Sequence, residues 1–457
     1  MRGPVRRLVV LLAVLGLVAT ACGPAKQSTG PVEVRWFCCL GTGDAPELVT
    51  VEKKVVEDFN KSHPNIHLTI EIVAYEAARD ALSTELGSNS PDIVGPLGVG
   101  GAEAFHGQWL DLSQLISDTK YDLTQYSQGA VDFYKVGGEG QVGIPFAIYP
   151  SMLFYQKGMF SEAGLKEPPH KYGDQYEMPD GSKVPWDYDT VAKIAKMLTV
   201  DANGVAATEA GFDDSKIVQY GFEPQRDDIR GLGAYYGAGS LVGSDGKTVQ
   251  IPAPWEAGWR WYFDRIWKDH SVMTQPIFES TDFNPEGYPF CTAKTAMEVN
   301  FLWSTYCLGG AGNSWDIAAV PAYQGNYTAP LNADTFRILK ASKHPKEAFE
   351  ALTYLLGTGS KELLAAYGGF PARTADQDAF FKGLDDQYPI GVDWQVAKDG
   401  VEHPDVPSFE AYMPAYNETL DRLITFGTRL STDENTDVSA EIDKLKKDIQ
   451  AIWDANP

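Results

Sequence analysis

The residues best suited to chemistry in this chain hold things rather than transform them. Trp303 closes the run Asn300-Phe301-Leu302-Trp303, and Asp334 stands in Asn332-Ala333-Asp334-Thr335-Phe336-Arg337. Tyr149 precedes Pro150 in an apolar stretch, and Arg373 ends Gly368-Gly369-Phe370-Pro371-Ala372-Arg373. Carboxylates, amides and guanidinium forks pair with adjacent hydroxyls. Trp and Tyr faces cover the C–H side of a ring. Together they suit a neutral polyhydroxylated ligand. Each also has a structural use: Asp334 as the cap of a helix or turn, Trp303 as a core aromatic.

Catalysis is the rival reading. Asp and Glu total 62, and two carboxylates flanking a sugar bond make a glycosidase. None of them sits in a catalytic motif. The chain has no G-x-S-x-G, no H-E-x-x-H and no P-loop. The seven His lack metal-ligand spacing, and there is no C-x-x-C pair, so neither a metal nor a cofactor is expected.

The net charge of -24 argues against nucleic acid and anionic membrane surfaces as partners, because phosphate binding needs clustered Lys and Arg. A length of 457 residues allows two or three domains. The 11 Trp and 22 Tyr fit a large core or stacking surfaces for a ligand.

The first 21 residues read as a signal peptide. Arg2, Arg6 and Arg7 precede an apolar run, Leu8–Val18, too short to span a bilayer as a mature helix. Ala19-Thr20-Ala21-Cys22 resembles a bacterial lipobox, in which Cys22 is lipidated and becomes the new N-terminus. A plain secretory signal cleaved near Ala21 is the alternative. Residues 22–31 then form the lipidated Cys and a small, polar tether.

The elements that must position the candidate residues follow from pattern. Val32–Phe37 alternates as a strand, Pro46–Ser62 has one apolar helical face, and His63-Pro64-Asn65 stops it. Ile66–Val73 reads as a strand, Ala74–Leu86 as a helix and Asp92-Ile93-Val94 as a short buried strand. This βαβαβ order predicts a parallel sheet covered by helices. Helices are predicted over Trp186–Leu198, Trp255–Trp267, Lys343–Leu356, Tyr412–Leu430 and Val438–Trp453. Around Pro145 and Pro150 the pattern has no helical period and is flanked by strand-like runs, as where a chain leaves one domain for the next.

The stretch Gly140–Phe160 resembles the first interlobe crossing of maltose-binding-protein-like solute receptors of ABC importers, with Gln156 where Y-N-K has Asn. Other motifs agree in order: Phe59 through His63-Pro64-Asn65-Ile66, Ser90-Pro91-Asp92-Ile93-Val94, Gly107–Leu112, Met159–Leu165 with Pro168-Pro169, Ala293–Glu298, Trp315–Pro321 and Gly368–Arg373. The resemblance covers nearly all of 32–457.

It implies an α/β, two-lobed periplasmic-binding-protein-like fold, each lobe a mainly parallel sheet flanked by helices, joined by hinge crossings. Residues 32–146 with 333–378 are expected as lobe 1, and 147–332 with 379–457 as lobe 2. Ligands in open α/β sheets lie beyond the carboxyl ends of strands. The expected ligand residues are therefore Cys38, Cys39, Thr42, Asp44, Gly98, Tyr149, Arg226, Asp227, Asn300, Trp303, Asn332, Asp334 and Arg373. The resemblance also implies a carbohydrate ligand, permease subunits of an ABC importer as partner, a monomer, no enzymatic activity, and a place outside the cytoplasmic membrane held only by the N-terminal lipid. On the same lobe assignment, Cys291 and Cys307 can bridge within lobe 2 without hindering closure. Cys38 and Cys39 are then either free thiols or a vicinal disulfide.

Overall fold

A computed structural model describes residues 30–456, apart from 39, 42, 88, 137, 226–231, 285–288, 309–313, 406–407 and 409–412; for Glu47, Glu76, Tyr306 and Cys307 it describes the backbone alone. The chain opens with β1 (Val32–Cys38), α1 (Pro46–Ser62), β2 (Ile66–Ile72), α2 (Tyr75–Glu85) and β3 (Ile93–Leu97), the βαβαβ unit that the sequence predicts. Pro46 begins α1 at the first turn, where a missing N–H costs nothing. Val55, Val56 and Phe59 of its apolar face are buried. The helix stops at His63, just before Pro64.

The middle of the chain holds β4 (Ala147–Gln156), α3 (Tyr188–Leu198), α4 (Ala253–Trp267), β5 (Met297–Phe301), β6 (Trp315–Ala318) and β7 (Leu331–Ile338). It ends with α5 (Pro345–Leu356), α6 (Ser360–Tyr367), β8 (Phe370–Pro371), α7 (Gln377–Gln387), α8 (Tyr416–Thr432) and α9 (Val438–Ala455). A predicted start of α8 at Tyr412 lies outside the described residues. Helix α7 was not predicted; its apolar positions are sparse.

One sheet runs β5-β4-β7-β3-β1-β2, with β6 and β8 also pairing with β4. Strands β1–β2 and β1–β3 are parallel. Strands β7 and β4 run antiparallel to their neighbours. Beyond β5, parallel bridges join Tyr220 to Thr295 and Glu223 to Glu298.

The stretch expected as two strand ends around a break is instead a single strand. All ten residues of β4 are buried, and it passes straight through Pro150. Its first half pairs with β7 and β8, and its second half with β5 and β6. Pro150 sits at this change of partners, opposite Leu331. A residue with no N–H is tolerated where the ladder is interrupted.

Three buried clusters follow. One joins Phe37, Leu82, Val94 and Trp109. A second packs Trp186 with Trp255 and Trp259 of α4, Phe426 of α8 and Leu445 of α9. Trp259 is core, with Phe263 and Trp267 partly buried beside it, and the Trp267 ring nitrogen donates to the Leu430 carbonyl at 2.8 Å. The third runs from Trp36 along β4 to Trp315 and takes in Phe381 and Leu384 of α7. Burying each such ring stabilises the fold by roughly 1.5–3 kcal/mol.

Candidate binding site

Strand β7 places Asp334 at a junction. Leu331 to Asp334 pair with Pro150 to Ala147 of β4, whereas Thr335 pairs with Leu97 of β3. The strand thus changes partner beside the Asp334 side chain. Asp334 keeps a strip of exposed surface, yet burial pushes its carboxyl up to about 7. Its charge in turn helps raise the phenols of Tyr134 and Tyr149, on top of their own burial. Among the described residues no cation and no hydrogen-bond donor offsets the Asp334 charge. A carboxylate largely buried and without a partner among the described residues is set up to receive donors from a ligand.

Gly98 abuts it. A Cβ at residue 98 would lie 2.9 Å from Asp334 Oδ1. The backbone here is extended, so the glycine answers a need for space and not for conformation. The glycine, expected as a ligand residue, makes room for Asp334.

Tyr149, which feels the Asp334 charge, leads to an aromatic wall. The Trp303 ring lies 5.3 Å from that of Tyr149, tilted by 56°. Behind it Phe301 stacks at 4.4 Å and 26°. Trp303 is partly buried and Tyr149 buried. Asn332 is half-buried and pairs across the ladder with Tyr149. Gly98, Tyr149, Trp303, Asn332 and Asp334 are therefore brought together.

Other expected residues have different roles. Asn300 is fully buried; its amide donates to Glu298 and its oxygen accepts from the Phe301 N–H. It shapes the turn that leads to Trp303 and has no face left for a ligand. Arg373 is also not brought in. It bridges to Tyr126, its Nε lies 3.7 Å from Asp376, and its charge acts on Tyr121 and Tyr126. The strand β8 just before it turns the side chain toward that surface. Asp44 is exposed and accepts the Tyr75 N–H at 3.0 Å, at the start of α2. Cys22, Cys39, Thr42, Arg226 and Asp227 lie outside the described residues, as does the Cys307 side chain. Cys38 and Cys291 are each in a disulfide, so Cys38 is not a free thiol.

Sequence reasoning missed a polar floor under this wall. Glu52 has no exposed surface, accepts the Tyr367 hydroxyl at 2.5 Å and lies 3.4 Å from Cys38 Sγ. Burial, helped by the nearby Asp44 charge, pushes it up to about 7, against the pull of the Tyr367 hydrogen bond. Its other oxygen is buried without a partner among the described residues. Tyr367 feels both Glu52 and Asp334. A signal did exist. Glu52 falls on the same helical face as Leu48, Val55 and Phe59, and a carboxylate on an apolar stripe needs a reason.

Residues 44–362 match the sequence profile of the bacterial extracellular solute-binding proteins. This chain belongs to that family. It is 23% identical over 361 residues to an uncharacterized lipoprotein in the oleD 5' region of Streptomyces antibioticus, covering 77% of this chain and 72% of that one. Its fold is similar to an ABC substrate-binding protein from Listeria monocytogenes solved with cycloalternan, at TM-score 0.71 and 16% identity, covering 93% and 99% of the two chains. It is similar as well to the sugar-binding protein MalE from Xanthomonas citri, at TM-score 0.69 and 16% identity, covering 93% and 98%. The fold class is thus the two-lobed one of periplasmic binding proteins. Among the described residues no helix is long and apolar enough to cross a membrane, and no group of three His, Cys, Asp or Glu could hold a metal.

Proposed function

We propose that this solute-binding protein is a receptor for a mono- or oligosaccharide, which it encloses between its lobes and delivers to the permease subunits of an ABC importer. The carrying observation is the junction at Asp334. A carboxylate made costly by burial, with no partner among the described residues, lies beside Tyr149, whose ring meets Trp303. A sugar ring supplies both complements: hydroxyl donors for the carboxylate, and a C–H face for the Trp303 ring. The sugar-binding relatives support the same class. The lobes are residues 32–146 with 333–378, and 147–332 with 379–457, with β4 and β7 as the crossings that bend. Cys22 carries the lipid that holds the chain at the outer face of the cytoplasmic membrane, and the chain works as a monomer without enzymatic activity.

Hydrolysis has less support. The second carboxylate with a raised pKa, Glu52, has no exposed surface and is bonded to Tyr367. It cannot touch a glycosidic oxygen, so the two carboxyls do not form the opposed pair that bond cleavage needs. A thermal-shift screen with mono- to tetrasaccharides, beside a turnover assay on the same set, tests the reading. A rise in melting temperature without product is expected, since a ligand that binds only the folded state stabilises it by mass action. Product formation, or no shift with any saccharide, would sink it.

A further inference from the structure

A second cavity adjoins the wall of the sugar site. It has a volume of about 510 Å³ and lies between α6, α7 and the turn at Trp303 to Thr305. Trp303 and Tyr367 belong to both sites: the Trp303 ring meets Tyr149, the Tyr367 hydroxyl meets Glu52, and both residues also line the cavity. Leu364, Pro371, Phe380, Leu384 and Tyr388 also line it.

The hydroxyl protons that line this cavity are already donated within the protein. Thr305 donates to the Leu302 carbonyl at 2.9 Å, and Ser360 to the Gly357 carbonyl at 2.7 Å. Tyr388 donates to the Thr305 carbonyl at 2.5 Å, and Tyr367 to Glu52. The Gln387 amide donates to the Tyr388 hydroxyl at 2.9 Å. The charged pair that borders the space, Lys361 and Asp376, is exposed or half-buried and belongs to its rim. A sugar ring placed here would lose water from its hydroxyls and meet more apolar than polar surface, which leaves part of its hydrogen bonding unmade. An apolar ring would lose nothing.

The chain also leaves the space open. Gly383 sits inside α7 on the cavity wall, and a Cβ built there meets no heavy atom within 4 Å. Gly383 is exposed, so a larger side chain has room to enter the space from this position.

We infer that this cavity takes the apolar aglycone of a glycoside, an aromatic or alicyclic group joined to the sugar that sits at Asp334. Trp303 then separates two halves of one ligand, with a sugar on the carboxylate side and an apolar group on the other. The inference rests on the sugar-receptor reading, and its test separates the two.

Glucose, maltose and cellobiose are each titrated calorimetrically against the purified protein as free sugars and as 4-nitrophenyl glycosides. The dye 1-anilinonaphthalene-8-sulfonate, an anion whose aromatic part fluoresces in apolar surroundings, reads the cavity without any sugar. For a sugar that binds, the 4-nitrophenyl glycoside is expected to bind about tenfold tighter or more. In Gly383→Leu that advantage should vanish while the free sugar keeps its affinity, and the dye signal should fall. Ala379→Phe fills the same space from the next turn and serves if Gly383→Leu does not fold. Equal affinity of sugar and glycoside overturns the inference. So does an advantage that survives in the filled variants, or an equal gain from an added unsubstituted sugar unit. If no saccharide binds in either form, the receptor reading fails and the aglycone role goes with it. A dye signal still quenched by Gly383→Leu in that protein supports an apolar cavity in its own right.

Discussion

Replacing Asp334 with Asn should make the protein more stable and less able to bind. The carboxyl is held at about 7 against an ordinary 3.8, with burial as the cause. Below pH 3.8 both the folded and the unfolded chain carry the proton, and the group costs nothing. Between 3.8 and 7 the unfolded chain has released the proton while the folded chain still holds it. The unfolded state then binds fewer protons, so stability falls as pH rises, by up to about 1.4 kcal/mol per pH unit. Above 7 both forms are ionised and the penalty is complete. For a fully enclosed carboxyl this amounts to about 4 kcal/mol. Its strip of exposed surface relieves part of that, so about 2 kcal/mol is the working figure. That is a large share of a total stability of roughly 5–15 kcal/mol.

Asn keeps the shape and never ionises. Urea unfolding of both proteins at pH 4 and pH 8 is the assay. The two should match at pH 4, and Asp334→Asn should be about 2 kcal/mol more stable at pH 8. At pH 8 it should also lose at least tenfold in saccharide affinity, because a hydrogen bond to a charged group contributes about 1.5–3 kcal/mol. An Asn variant that is equally stable or less stable at pH 8 would falsify the claim that this carboxylate is strained by burial. It would point to a partner that holds the charge.

Glu52→Gln should flatten the same pH window, since that carboxyl too is raised to about 7, yet leave saccharide affinity within about threefold; a tenfold loss in calorimetry would mean that Glu52 reaches the ligand. Trp303→Ala should weaken binding by about tenfold or more while circular dichroism keeps its native form; unchanged affinity would remove Trp303 from the site. Gly98→Ala puts a methyl 2.9 Å from Asp334 Oδ1, so the carboxylate must turn, and affinity should drop more than stability. Small-angle scattering should show a smaller radius with saturating saccharide, and an unchanged radius argues against hinge closure at β4 and β7. Non-reducing peptide mapping should return Cys291 linked to Cys307 and Cys38 linked to Cys39; a link between the Cys38 region and the Cys291 region would overturn the lobe assignment.

What could be read from the sequence depended on whether a residue's role was set locally. Helices α1, α3, α4 and α9 fall within two residues of their predicted bounds, because apolar spacing and nearby proline or charge punctuation decide them. Strand β4 was missed as one element because Pro150 reads locally as a break. Only the switch from β7 to β5 on its flank makes the proline harmless. The same logic divides the candidate site residues. Asp334 and Trp303 could be named from residue type and position beside a strand, and the fold does bring them together. Asn300 and Arg373 carry equally suitable chemistry, but their partners, Glu298 two residues away and Tyr126 some 250 residues away, are fixed by register and by the turn after β8. Glu52 was legible only in the negative, as a charge on a face where charge is costly. Its partner Tyr367 lies on α6, far along the chain. A long-range pair of that kind is set by packing, α1 against α6, and packing is the one level that periodicity does not encode.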